Sequence, residues 1–111
     1  MTVVVAVLTD SAVKLAQASA PAGAVKFSVT NAGSVTHELV VLKTAIAQNQ
    51  LPANLSQPAE VTEPGFLAKV PLLAPGQTGS LTLTLTPGSY VLICNQPAHY
   101  LVGMHTAFTV N

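Results

Sequence analysis

Apolar residues recur at every second position in several short runs of this chain, a period that belongs to strands with one buried face. Residues 80–86 give the clearest case, where Leu81, Leu83 and Leu85 alternate with Ser80, Thr82, Thr84 and Thr86. Residues 24–30 repeat it, with Val25, Phe27 and Val29 set against Lys26, Ser28 and Thr30. Residues 2–8 form a β-branched run and 12–17 a weaker one, followed by Ser19-Ala20-Pro21-Ala22-Gly23, which reads as a turn. In 89–94 both faces are apolar: Tyr90, Leu92 and Cys94 share one, Val91 and Ile93 the other. That run belongs in the middle of a sheet. Residues 105–110 close the series, with Thr106, Phe108 and Val110 on one face.

Asn31-Ala32-Gly33-Ser34 is a turn by composition, and the strand expected over 35–42 leaves it with His37, Leu39 and Val41 on one face. Glu38, Val40 and Leu42 take the other. An imidazole placed on an apolar stripe needs a partner for each ring nitrogen, and a metal is one such partner. Between 43 and 75 the alternation dissolves among Pro52, Pro58, Pro64, Pro71 and Pro75, too many for a long helix. One or two helical turns are expected within 44–50. The whole 43–75 segment is expected to be an irregular, partly helical insertion forming a flap over one edge of a sheet. The fold class is therefore all-β: a Greek-key, antiparallel β-sandwich of about seven to eight strands in a single domain spanning 1–111.

Composition narrows the partners. Only 7% of residues are charged, and four Lys with no Arg balance four acidic residues. Such a surface carries no electrostatic footprint for nucleic acid or anionic lipid. No apolar run approaches the roughly 20 residues that cross a bilayer, so no membrane insertion of this domain is expected. The start, Met1-Thr2-Val3-Val4-Val5, lacks the parts of a secretory signal, which leaves either a cytoplasmic protein or a mature region with a new start codon. One cysteine excludes an internal disulfide.

The chemistry gathers near the C-terminus, where Cys94 is followed at five-residue steps by His99 and Met104. Each alone has an ordinary reading as a small hydrophobe, a hydrogen-bonded core imidazole or a gap-filling thioether. Together they make the donor set of a soft, redox-active ion. Copper in electron-transfer sites is held by two His and one Cys with a weak axial Met. The loop is one histidine short, and His37 lies on a separate strand whose face could meet it. His105 directly follows Met104, so it would point the other way and is not expected to ligate.

Asn31-Ala32-Gly33-Ser34-Val35-Thr36-His37-Glu38-Leu39, then Pro87-Gly88-Ser89-Tyr90-Val91-Leu92-Ile93-Cys94, then the loop through Gly103-Met104 to Phe108-Thr109-Val110 resemble the cupredoxins, the small blue copper proteins. The four-residue gap on each side of His99 is most similar to the sulfocyanin, rusticyanin and auracyanin branches. The resemblance implies one type 1 copper ion, with His37, Cys94 and His99 as equatorial ligands and Met104 as the axial one. Four protein ligands leave no open position for a substrate, so an electron carrier rather than an enzyme is expected. Copper delivery with the same ligands is the alternative.

The resemblance further implies a periplasmic or other extracytoplasmic setting, a monomer, and redox partners docking at an apolar surface around His99. That surface would comprise Pro97, Ala98, Tyr100, Leu101 and Val102. Two departures from the family pattern stand out. Pro97-Ala98 replaces a common Pro-Gly, which suggests a stiffer loop. Glu38 replaces a common Asn whose side chain ties the two ligand loops together, and whether Glu38 does so is open. Its backbone N–H is expected to donate to the Cys94 sulfur.

Overall fold

The computed structural model describes residues 1–111 and contains strands and turns but no helix. The strands are β1 (Thr2–Leu8), β2 (Val13–Leu15), β3 (Ser19–Ala20), β4 (Gly23–Asn31), β5 (His37–Lys43), β6 (Phe66–Leu73), β7 (Thr78–Leu85), β8 (Gly88–Ile93) and β9 (His105–Val110). They form a four-stranded sheet ordered β2-β1-β4-β7 and a five-stranded sheet ordered β3-β9-β8-β5-β6. The alternating runs become strands because each has one face to bury. Val25, Phe27 and Val29 of β4 are fully buried against Leu39 and Val41 of β5, Tyr90 and Leu92 of β8, and Phe108 and Val110 of β9. Phe27 and Phe108 meet edge to face across the two sheets, with ring centroids 5.4 Å apart.

The sandwich is mixed rather than wholly antiparallel. β1 runs parallel to β4, and the two-residue β3 runs parallel to β9. The stretch expected to be only a turn at 19–23 thus includes an edge strand, too short to leave an alternation in the sequence.

Strand β8 is central, between β5 and β9, and buries both faces. Its outer face carries Val91 and Ile93, which join Val40 and Leu42 of β5 in a second apolar cluster completed by Leu51, Val61 and Tyr100. Leu51 and Val61 come from the proline-rich segment. That segment therefore covers a face of the five-stranded sheet, not an edge.

The expected helical turns at 44–50 are absent, because the backbone groups they would use are engaged elsewhere. Tyr100 Oη donates to the Gln48 carbonyl (2.7 Å) and accepts the Leu51 N–H (3.1 Å), so the chain there folds round a phenol and closes only one backbone turn of its own, from the Gln50 N–H to the Ala47 carbonyl (2.9 Å). The expected irregular insertion at 43–75 also ends earlier than its prolines suggest, since residues 66–73 form β6. Pro71 is compatible with β6 because the strand is an edge, with register shifts along its pairing with β5.

Candidate metal centre

Several chain reversals meet at one end of the sandwich: the β1–β2 turn around Asp10, the 32–36 turn before β5, and the 95–104 loop between β8 and β9. Asn31 shapes the second of these. It is fully buried, its amide donates to the carbonyls of Val35 (2.9 Å) and Leu73 (2.8 Å), and its side-chain oxygen accepts the Gly33 N–H (2.8 Å). The turn so fixed delivers His37 at the first position of β5, with its side chain wholly buried.

The third reversal is closed by its own backbone. Cys94 N–H donates to the Met104 carbonyl (3.1 Å), and Met104 N–H to the His99 carbonyl (3.1 Å). Ala98 N–H reaches across to the Ala59 carbonyl (2.7 Å), which pins the loop to the covering segment. Ala98 adopts φ 68°, the left-handed region that glycine takes without cost and alanine does not. The replacement of Gly by Ala at this point is thus a locally strained residue as well as a stiffer one.

These elements bring His37, Cys94 and His99 together, with one ligand atom from each lying within 4.8 Å of the others. His37 Nδ1 is 3.1 Å from His99 Nδ1 and 3.8 Å from Cys94 Sγ, and His99 Nδ1 is 3.5 Å from the same sulfur. An ion with two imidazole nitrogens at about 2.0 Å and a thiolate at about 2.3 Å in a trigonal plane would space these atoms by roughly 3.5–3.7 Å. The triangle fits. Met104 is fully buried in the same core cluster as Cys94, beside both loop ligands through its backbone bonds.

Burial pushes the Cys94 thiol up from its ordinary pKa, opposed by the Glu38 backbone N–H that donates to the sulfur at 3.4 Å. A bound cation reverses that balance by deprotonating the thiol, so metal uptake releases a proton. Burial first, and then the neighbouring His37, hold His99 below the ordinary imidazole pKa, a shift toward the neutral ring that a metal ligand needs.

Glu38 settles the question its sequence position raised. Its carboxylate is buried on the opposite face of β5 from His37, accepts the Asn95 N–H at Oε2 (3.3 Å), and meets the half-exposed Lys69 ammonium at Oε1 (3.4 Å). The tie between the two ligand segments is therefore kept, with a carboxylate making it. Asn95 extends the knot, donating its amide to the Val61 carbonyl and to Glu63 (both 2.9 Å) and accepting the Val61 N–H (3.0 Å). Glu38→Ala would leave the buried Asn95 N–H without this acceptor, at a cost of about 1–3 kcal/mol. Chemical denaturation should read that loss, and Glu38→Gln should restore most of it.

His105 faces away from the site, as its place next to Met104 requires. Its Nδ1 pairs with Gln48 Oε1, its ring lies against Tyr100 with centroids 4.8 Å apart, and burial lowers its pKa. Tyr100 corrects an expectation: it is buried under the covering segment and is no part of an exposed surface. Within a loop there is no period to assign a side chain to a face, and the phenol found two backbone partners inside. Pro97, Ala98, Leu101 and Val102 are exposed, the last two at 67% and 57%, and His99 is partly exposed among them.

Asp10 is the residue that sequence reasoning missed. Its Oδ1 lies 2.9 Å from His37 Nε2, the ring nitrogen turned away from Cys94. In the sequence it is an ordinary acid in a turn between two strand runs, and no spacing connects it to a histidine 27 residues later. Ser34 first, and His37 second, hold the Asp10 carboxyl well below the usual carboxylate range.

A β-sandwich gathering two imidazoles, a thiol and a buried thioether at one end of its strands defines a cupredoxin with a type 1 copper site arrangement. Residues 11–111 match the copper binding proteins of the plastocyanin/azurin family, and the chain belongs to that family. Auracyanin-B of Chloroflexus aurantiacus is 42% identical over 65 residues, which are 58% of this chain and 27% of the relative, so the match spans about a quarter of that protein. A solved auracyanin B structure shares 30% identity at a TM-score of 0.71, covering 99% of this chain and 88% of the other. Two further structures resemble the fold. Reduced auracyanin from the photosynthetic bacterium Roseiflexus castenholzii has a TM-score of 0.74 at 24% identity, covering 100% of this chain and 98% of that one. Rusticyanin from Thiobacillus ferrooxidans also has a TM-score of 0.74, at 17% identity, covering 98% and 76%.

Proposed function

We propose that this chain carries single electrons through one copper ion held by His37, Cys94 and His99, with Met104 as a weak fourth donor. The observation that carries the reading is the convergence of His37 Nδ1, His99 Nδ1 and Cys94 Sγ on one point. Bound copper supplies one-electron chemistry between cuprous and cupric states. The protein's part is to hold the donors still. His37 is anchored by the β5 pairing and Cys94 by Glu38, while His99 and Met104 are held by the backbone ties that close their loop. Four protein donors leave no position for a substrate, which supports a carrier over an enzyme. No helix of the structure is long and apolar enough to cross a membrane, and the family resemblance favours an extracytoplasmic setting.

The exposed apolar residues Pro97, Ala98, Leu101 and Val102 around the partly exposed His99 are suited to docking a redox partner close to the metal. With four Lys against four acids, long-range steering is weak. The partner-oxidation rate should therefore change by less than about threefold between low and physiological salt, whereas steered pairs gain 10-fold or more. A steep fall with ionic strength would sink the patch-docking reading.

The test of function is to add cupric ion to the purified chain, record the visible spectrum, and titrate with a reductant. An intense thiolate-to-copper absorption that bleaches and returns with one electron is expected. A colourless cupric form that yields its metal quickly to a mild chelator would instead support delivery.

A further inference from the structure

His37 has two ring nitrogens with different tasks, and the structure gives each a partner. Nδ1 faces Cys94 and His99, while Nε2 meets Asp10 Oδ1 at 2.9 Å. Asp10 is itself fixed. Ser34 N–H donates to its Oδ1 (2.8 Å) and the Ser34 hydroxyl to its Oδ2 (2.6 Å), so both oxygens are held although the side chain is 49% exposed. Gly33 closes over the pair. A Cβ at that position would lie 2.3 Å from Asp10 Oδ1 and 2.6 Å from His37 Nε2, so the backbone passes where only glycine leaves room for the contact. Two stretches distant in sequence, the turn holding Asp10 and the 33–37 stretch, are thus arranged to press one carboxylate against one imidazole.

We propose that Asp10 is a positioning residue for the copper centre: it holds His37 as the Nε2–H tautomer with Nδ1 free to ligate, and its charge biases the bound ion toward the cupric state. This rests on the copper reading above. The physical reason is that a carboxylate accepting Nε2–H raises the basicity of Nδ1 and places negative charge near the ion. Both effects favour the more highly charged oxidation state. A mere turn cap, the competing role for Asp10, would support the 32–36 turn through Ser34 and leave the redox equilibrium unmoved.

Wild type, Asp10→Asn, Asp10→Ala and Ser34→Ala would be loaded with copper and compared by visible spectrum, reduction potential, and affinity for each oxidation state. Asp10→Asn keeps an oxygen that can accept Nε2–H but removes the charge, so the visible absorption should persist while cupric affinity falls about tenfold more than cuprous affinity. That selective loss is an upward shift of about 59 mV for one electron. Asp10→Ala should shift further in the same direction and Ser34→Ala less. In the metal-free chain, long-range proton–nitrogen spectra should show His37 as the Nε2–H tautomer in the wild type, and a mixture in Asp10→Ala. That metal-free readout stands even if wild type proves colourless, an outcome that would sink the copper reading instead. An Asp10→Asn potential equal to wild type, or an unchanged His37 tautomer in Asp10→Ala, would overturn the proposal.

Discussion

Cys94→Ser should abolish the visible thiolate-to-copper absorption and lower copper affinity by about a hundredfold or more, since losing even an outer partner of a ligand costs ten- to a hundredfold. The substitution is nearly isosteric, and a hydroxyl at 94 can still accept the Glu38 N–H that now reaches the sulfur at 3.4 Å. The fold should therefore survive, with an unchanged far-ultraviolet circular dichroism spectrum. What is lost is the soft, charge-donating atom that the absorption reports. His105→Ala should keep the absorption, because that ring is spent on Gln48 and Tyr100. A Ser variant that stayed coloured would place the thiolate role elsewhere, although the chain has no second cysteine to take it.

Gly65→Ala is expected to have the largest effect on stability, about 2–4 kcal/mol when left-handed strain and overpacking are taken together. Gly65 stands at φ 70°, and a Cβ there would lie 1.9 Å from the Lys43 carbonyl oxygen and 2.8 Å from its carbon. Those are backbone atoms at the end of β5, and Lys43 N–H is meanwhile bonded to the Gly65 carbonyl at 2.8 Å. Neither side can yield without breaking the point where the covering segment rejoins the sheet. Gly76 supplies the control: its φ is 82° but a Cβ would meet nothing within 4 Å, so Gly76→Ala should cost only about 1–2 kcal/mol of conformational strain. Denaturant unfolding of the two variants would separate clash from strain. Faster hydrogen exchange at Leu51 and Val61 in Gly65→Ala would show that the covering segment loosens first.

The strands that build the sandwich were legible because burial on one face writes a period of two into the sequence, as in 80–86, and burial on both faces removes it, as in 89–94. The donor set was legible for a different reason. Cys94, His99 and Met104 lie within one loop, and His37 opens a strand whose inward face the alternation identifies. What stayed hidden depends on contacts between distant segments. Asp10 reaches His37 only because β1 and β4 lie parallel and bring their C-terminal ends together. Strand β6 was masked by Pro71, which an edge strand tolerates and a central one would not. Tyr100 reads as surface by its neighbours and is interior by its hydroxyl, which serves Gln48 and Leu51.

The placement of Pro71 carries a consequence for the crowded surroundings in which a carrier must travel. With half its residues hydrophobic and a formal net charge of zero, this chain lacks the mutual repulsion that keeps many small proteins apart. Colloidal stability then falls to the sheet margins, where an unpaired row of backbone groups invites a neighbouring copy to add its own strand. On β6 the invitation is withdrawn: Pro71 offers no N–H, Lys69 sets a charge two residues away, and the irregular register with β5 interrupts the flat ladder that stacking needs. A neutral, apolar protein that exposes Phe66, Leu67 and Leu72 on this same strand thus has a proline and a shifted register set against self-pairing along that margin.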